Sequence, residues 1–160
     1  MFSATDQFDR YAMQDFMRRP EIYWAVSDHM SPPPEQMDFI GHLRSPYVWM
    51  VAALWQQNII GYVLFETRTS VAAILHVAFH PQARGQVAKA FTQYAIGRAF
   101  TERGLLKLWA FIPTDNRRAL LGARKIGFHE EGRLTRSIMR EGTLRDLVVM
   151  GMEKGNEGSI

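Results

Sequence analysis

One short segment of the sequence carries the residues best suited to bind an anion. It lies between an apolar run and an amphipathic run, and it reads Gln82-Ala83-Arg84-Gly85-Gln86-Val87-Ala88-Lys89. The first N–H groups of a helix lack partners inside the helix and lie at the positive end of its dipole. A glycine turn before them lets an anionic ligand approach the backbone closely. The pattern predicts a phosphate-binding turn, and a plain strand–turn–helix junction is the alternative.

Two common phosphate-binding motifs are absent from this segment. The P-loop pattern GxxxxGK[ST] does not occur, and Gly85 is a single glycine where a dinucleotide-binding fingerprint has three. The turn therefore predicts phosphate binding of another type.

A histidine lies on the strand predicted just before the turn. Alternation along Val71–His80 places His76 on one face together with Ala72, Ile74 and Ala78. An imidazole titrates near neutral pH, so His76 is the candidate general base. A core histidine bonded to the backbone is the alternative, and His80 at the strand end reads as a loop residue.

Changes in hydrophobic periodicity define the elements that must position these residues. Three helical segments come first, near Phe8–Met17, Glu21–His29 and Glu35–Leu43. Strands are predicted at Tyr47–Trp55, Ile59–Glu66, Val71–His80, Leu106–Ile112, Phe128–Met139 and Thr143–Glu153. A long helix spans Arg84–Arg103, with Val87, Phe91, Tyr94, Ala95 and Ala99 as its apolar stripe. A shorter helix begins at Asp115 or Asn116 and ends at Gly127.

This order of elements predicts a mixed α/β, three-layer fold. Short links between successive strands favour antiparallel neighbours, and one strand–helix–strand crossover adds a parallel pair. We expect one domain over residues 1–153, with a divergent N-terminal helical part to residue 46 and a disordered tail over 154–160.

Composition excludes several kinds of chemistry. The 160 residues include no cysteine, which rules out disulfides, thiolate catalysis and cysteine metal sites. Nothing in the sequence indicates a metal site or a membrane span, and the N-terminal residues lack the pattern of a signal peptide. A cytoplasmic location is the expectation. The net charge of +3 is dispersed, so nucleic acid is not an expected partner.

Three arginines alternate along one predicted strand, at Arg133, Arg136 and Arg140. A solvated strand face is one interpretation of this spacing. Recognition of an acidic acceptor or of nucleic acid is the other.

Together these motifs resemble the GNAT superfamily of N-acetyltransferases over Tyr47–Glu153. The turn is similar to the family's pyrophosphate loop, Q/R-x-x-G-x-G/A, and follows Phe79-His80-Pro81. The later segments Trp109–Ala119 and Arg124–Phe128 are similar to the family's strand, asparagine cap and Lys-x-Gly-Phe helix end. Glu131–Leu134 and Gly142–Asp146 resemble the final hairpin of Rim-type protein N-acetyltransferases.

The resemblance implies a V-splayed, mostly antiparallel sheet that binds acetyl-CoA, with no metal. It implies that a base, for which His76 is the candidate, helps a primary amine attack the thioester directly. The acceptor would be a protein N-terminus, a lysine or a small molecule. The cofactor-binding residues that it implies are Val77, Ala78, Phe79, Arg84, Gly85, Gln86, Val87, Ala88, Lys89 and Asn116.

Two positions depart from the family pattern. Val87 stands where glycine or alanine is preferred, and Ala123 stands where many members carry a tyrosine that protonates the leaving thiolate. The departures leave two alternatives open. One is water-assisted acetyl transfer, and the other is a CoA-binding or assembly module with little activity. A homodimer also stays open.

Overall fold

Seven strands form one sheet in the order β1–β2–β3–β4–β5–β7–β6, in a computed structural model that describes residues 2–155. The strands are β1 Phe2–Thr5, β2 Val48–Trp55, β3 Asn58–Thr67, β4 Ala72–Phe79, β5 Lys107–Pro113, β6 His129–Arg140 and β7 Thr143–Glu153. The helices are α1 Arg10–Met17, α2 Pro20–Val26, α3 Phe39–Leu43, α4 Gln86–Glu102 and α5 Arg117–Lys125. The mixed α/β fold expected from the sequence is confirmed.

Tight turns make most neighbouring strands antiparallel. Gln56 and Gln57 both have positive φ, 47° and 66°, and join β2 to β3. Glu141 and Gly142, at 50° and 73°, join β6 to β7 in the same way. Two positive-φ residues give a turn whose twist matches that of the strands it connects. The parallel pair is β4 with β5, and α4 forms the crossover between them.

Each face of the sheet has its own apolar core. On one face α4 and α5 pack against β2–β5 and β7, and Val63, Phe100 and Met150 are buried there. On the other face α1 and α3 pack against β2–β4, burying Met13, Phe16 and Leu64. The helices of the second core pack on β2–β4 only. They do not cover β5, β7 or β6, which form the other half of this face.

The first strand was missed by the sequence analysis, which placed a helix first. β1 pairs with the end of β2, and the ring of Phe2 lies 4.5 Å from that of Trp55. Four residues are too few for alternation to identify a strand.

Three helical predictions also need correction. The second helix ends at Val26 and not at His29, because the residues after it bond to a distant hairpin. The predicted helix Glu35–Leu43 is a short 3-10 turn followed by α3, since Met37 is extended and Asp38 caps α3 through the Gly41 N–H. Tyr94 is exposed, and the buried stripe of α4 is Thr92, Ala95, Ile96, Ala99 and Phe100.

The predicted disordered tail falls mainly on residues 156–160, which lie outside the described residues. Lys154 and Gly155 form a turn, and the Lys154 N–H donates to the Leu106 carbonyl at 2.9 Å. None of the helices between residues 2 and 155 has both the length and the hydropathy of a membrane-spanning helix.

A close approach between β3 and β4 provides a test of the packing. A Cβ added to Gly61 would lie 2.2 Å from the buried Phe79 ring. We expect Gly61→Ala to lower the free energy of unfolding by about 1–3 kcal/mol, as overpacking does. Urea denaturation measures the change.

The matched control is Gly97→Ala in α4, where a Cβ meets nothing within 4 Å. It should raise stability by roughly 0.5–1 kcal/mol because alanine favours the helix. A Gly61→Ala variant as stable as the parent protein would contradict the close packing of Phe79.

Candidate functional site

Strands β4 and β5 pair over a short distance and then separate. Their parallel register joins Ala72–Ile74 to Lys107–Trp109 and stops there. Beyond that point β4 continues to pair with β3 as far as Phe79, and β5 continues to pair with β7 as far as Pro113. The sheet therefore has a wedge-shaped opening between two strands that are each held on their outer side.

Backbone groups on one edge of β4 face this opening. The His80 N–H donates to the Ile60 carbonyl of β3 at 2.8 Å, so alternation directs the groups of Val77 and Phe79 to the other edge. Ala78 does not belong with them: its backbone faces β3, and its side chain is buried against the N-terminal helices. Of the three predicted cofactor residues on β4, the structure brings Val77 and Phe79 to the opening.

The N-terminus of α4 lies at the end of β4, after a 3-10 turn at Pro81–Ala83. Gly85 precedes the helix with φ 93°, and a Cβ there would meet nothing within 4 Å. The first intrahelical bond runs from the Lys89 N–H to the Gly85 carbonyl at 3.0 Å. The N–H groups of the residues between them, Gln86, Val87 and Ala88, thus have no acceptor inside the helix. Val87 does not interrupt α4, and Lys89 contributes a side chain but no free N–H.

The Arg84 side chain connects this turn to α2. Its Nε donates to the Phe79 carbonyl at 3.3 Å, and its Nη2 donates to the Glu21 carbonyl at 3.4 Å. An anion bound at α4 would therefore lie beside a guanidinium that also holds the start of α2. The sequence identified Arg84 as a charge near the turn and did not identify its link to α2.

His76 lies on the face of β4 that the N-terminal helices cover. Its Nε2 is 3.5 Å from Glu66 Oε2, on the neighbouring strand and one diagonal position away. The side chain is 47% exposed. The protein atoms that crowd the ring disfavour the imidazolium and lower the pKa of His76, and the Glu66 carboxylate opposes this shift. His76 is therefore accessible and neutral at neutral pH, with Nδ1 available as an acceptor.

A segment that we call the strap, residues 20–29, runs from the turn after β4 to the β6–β7 hairpin. At one end Arg84 holds the Glu21 carbonyl. At the other end the Met139 N–H donates to Asp28 Oδ2 at 2.7 Å, and the His29 N–H donates to the Met139 carbonyl at 2.9 Å. The strap is thus held from both sides of the wedge.

Arg140 completes this attachment, and it is not the solvated residue that the spacing of Arg133, Arg136 and Arg140 suggested. Its side chain is only 13% exposed, and its Nη1 donates to the Trp24 and Ser27 carbonyls at 3.2 Å each. A β-bulge between Leu134 and Ile138 interrupts the alternation of β6. Sequence spacing alone gives no sign of this bulge.

Asn116 caps α5, as one of the two predicted alternatives. Its Oδ1 accepts from the Ala119 N–H at 3.1 Å. The neighbouring Asp115 instead lies 3.8 Å from Arg140 Nε. The role predicted for Asn116 in cofactor binding stays a prediction.

One group of side chains among residues 2–155 has the spacing of cation ligands. Ligand atoms of His129, Glu131 and Glu153 lie within 4.8 Å of one another, and all three residues are exposed. Lys107 pairs with both carboxylates, at 2.6 Å from Glu153, and Trp109 Nε1 donates to Glu131. The lysine already supplies the positive charge that these carboxylates need.

Comparison with known proteins gives a family for this arrangement. The family model described as acetyltransferase (GNAT) family matches residues 10–128. The match includes the N-terminal helices, which the sequence analysis left without a relative, and ends before the final hairpin. A comparison with curated proteins found no match to this sequence.

Solved structures share the fold at low sequence identity. The spermidine N-acetyltransferase from Vibrio cholerae in complex with CoA and spermine superposes with a TM-score of 0.81 at 18% identity, over 97% of this chain and 96% of that chain. The spermidine/spermine enzyme of the same organism in complex with manganese ions gives 0.75 at 18%, over 95% and 92%. A candidate phosphinothricin N-acetyltransferase gives 0.76 at 19%, over 96% and 98%.

The titration of His76 tests the geometry of the candidate base. We expect an NMR titration to give a pKa below 6.5 for His76. Glu66→Gln should lower this pKa further, because the carboxylate stabilises the imidazolium. Arg68→Gln should raise it, because the Arg68 guanidinium disfavours that charge. Shifts of the same sign in both variants would contradict this arrangement.

Proposed function

The chain belongs to the acetyltransferase (GNAT) family and is an acetyl-CoA-dependent N-acetyltransferase, and we propose that the wedge between β4 and β5 is its active site. Acetyl-CoA supplies an activated acetyl group as a thioester, and an amine accepts it. One observation carries the proposal: β4 and β5 separate after Ile74, and the free edge of β4 then runs towards the uncapped N-terminus of α4.

The wedge fits the two polar parts of CoA. The free N–H groups of Gln86, Val87 and Ala88 suit the pyrophosphate, which would also meet the Lys89 ammonium. The open space beside Gly85 lets a phosphate approach the backbone. Val77 offers its N–H and carbonyl, and Phe79 its N–H, to the amides of the pantetheine arm. These groups need such a partner because β5 has turned away, whereas the Phe79 carbonyl already accepts from Arg84.

His76 is the base in this proposal. Glu66 lies at Nε2 and orients the ring, which leaves Nδ1 to take the proton from the attacking amine, directly or through one water. The lowered pKa of His76 keeps Nδ1 unprotonated at neutral pH. The Val77 N–H faces the wedge and can donate to the oxygen on which negative charge develops.

The proton for the leaving thiolate comes from water in this proposal. Ala123, on α5, has a methyl group where many relatives carry a tyrosine. This observation also favours a second candidate function, CoA binding with little turnover. Release of free CoA in the presence of an amine separates the two.

The acceptor is a primary amine on a protein N-terminus, a lysine or a small molecule. The Rim-like final hairpin supports the protein α-amine, whereas the names of the structural neighbours support small amines. We also propose that the protein is cytoplasmic and that it forms a homodimer. The cysteine-free sequence fits a reducing compartment.

Filling the space beside Gly85 tests the cofactor site. Gly85→Glu places a carboxylate at the α4 N-terminus and should abolish saturable acetyl-CoA binding in calorimetry, through both volume and charge. Gly104→Glu is the matched control, because Gly104 also has positive φ and open space. Loss of binding in both variants, or in neither, would contradict the assignment.

Removing the imidazole tests the base. His76→Ala should lower kcat by roughly 10²- to 10⁴-fold, leave the Kd for acetyl-CoA unchanged, and remove the loss of rate on the acidic side of the pH profile. His129→Ala, which removes another exposed histidine, is the control. A His76→Ala variant with the parental pH–rate profile would exclude His76 from the mechanism.

A further inference from the structure

Arg145, on β7, is a partly buried arginine whose side chain has no partner among residues 2–155. Its Nε is buried and unbonded. The structure gives its side chain no hydrogen bond or ion pair with any residue from 2 to 155. A buried guanidinium nitrogen without a hydrogen-bond partner is costly, and such a group in a native protein calls for an acceptor from outside the chain. Its surroundings therefore indicate what the ligand is.

Arg145 lies on the same face of the sheet as His76. Along β7, Val148 and Met150 are buried in the core beneath α4 and α5. Alternation therefore places Arg145, Leu147 and Val149 on the opposite face. Val149 pairs with Phe111 of β5, so this face of the sheet continues to the β5 edge of the wedge. His76 lies on the same face, across the wedge on β4.

Arg140 adds a second guanidinium to this region. It is opposite Thr143 in the β6–β7 register, while Arg145 is opposite Ile138, so the two arginines are diagonal neighbours on one face. Because Arg140 bonds the strap, both guanidinia lie on the face that the strap covers.

Nearby carboxylates pair with Arg140 and leave Arg145 without an acidic partner among residues 2–155. Asp115 lies 3.8 Å from Arg140 Nε, beyond hydrogen-bonding distance, and Arg140 Nε is itself buried and unbonded. Asp28 accepts from the N–H groups of Met30 and Met139. The covered end of the acceptor face therefore carries two buried Nε donors without hydrogen bonds, and one of them belongs to an arginine with no carboxylate partner among residues 2–155.

We propose that Arg145, together with Arg140, binds an oxyanion on the acceptor, so that the substrates are amines that also carry a carboxylate or phosphate group. This inference rests on the proposed function for the position of the amine at His76. It identifies Arg145, and not the exposed Arg133 or Arg136, as the arginine that recognises an acidic acceptor.

The face between the two ends suits an apolar chain. Phe111 is 40% exposed there, and Leu147 and Val149 are half-buried. Arg145 is four residues beyond Val149, about 13 Å along the strand. The amine and the oxyanion must therefore be separated by several bonds, as in a dipeptide or an ω-amino acid.

Matched pairs of acceptors test the inference with the full-length protein and acetyl-CoA. The pairs are 6-aminohexanoate with 6-aminohexanamide, and alanyl-alanine with its C-terminal amide. An aminoalkyl phosphonate distinguishes phosphate from carboxylate recognition. We expect kcat/KM to favour the acid of each pair by roughly 10- to 100-fold, as for a charge-assisted hydrogen-bonded pair.

Arg145→Gln should reduce this preference to about threefold or less by raising KM, without changing the Kd for acetyl-CoA. Arg136→Gln, which alters an exposed arginine of β6, should keep the preference. Arg145→Met should unfold at the same or a higher urea concentration than the parent, because it removes a partly buried unpaired charge. A destabilised Arg145→Met variant would indicate a structural role and overturn the inference.

The outcomes separate this inference from the proposed function. Equal acetylation of acid and amide overturns the inference and leaves acetyl transfer standing. If no amine is acetylated, the proposed function fails. Calorimetric binding of 6-aminohexanoate in the presence of CoA then decides the inference: binding lost in Arg145→Gln supports it, and absence of binding in the parent overturns it.

Discussion

The separation of β4 from β5 is the constraint on which the rest of the structure depends. Where two central strands of a sheet separate, their backbone N–H and C=O groups lose their hydrogen-bond partners. Burying such groups is costly unless another molecule or side chain bonds to them. Here the unpaired edge of β4 leads directly to the uncapped N-terminus of α4. A ligand with amide groups at one end and phosphates at the other satisfies both, and this combination describes CoA.

The N-terminal segment keeps this wedge covered on the acceptor side. α1 and α3 pack on the half of the sheet that ends at β4, so they cannot cover the half that begins at β5. The strap bridges the two halves, held through its carbonyls by Arg84 from one side and Arg140 from the other. Arg84 follows β4 and Arg140 ends β6, so the position of the strap depends on both sides of the wedge.

Sequence reasoning recovered the local parts of this arrangement. The glycine turn, the face of His76 and the cap at Asn116 follow from short-range rules, and the structure has each of them. It missed what depends on distant contacts: β1 exists because Trp55 and its neighbours offer an edge, and α2 stops at Val26 because Asp28 and His29 bond to the hairpin. The spacing of Arg133, Arg136 and Arg140 likewise gave no sign of the bulge in β6 or of the bonds by which Arg140 holds the strap.

The most direct test of the account is an NMR titration of the isotope-labelled protein with acetyl-CoA. Binding in the wedge should shift and protect the amide resonances of Val77, Phe79 and the α4 first turn, Gln86 to Ala88, with smaller effects at the edge strands β1 and β6. Perturbation confined to other elements, with these amides unchanged at saturation, would show that CoA binds elsewhere and would contradict the central claim.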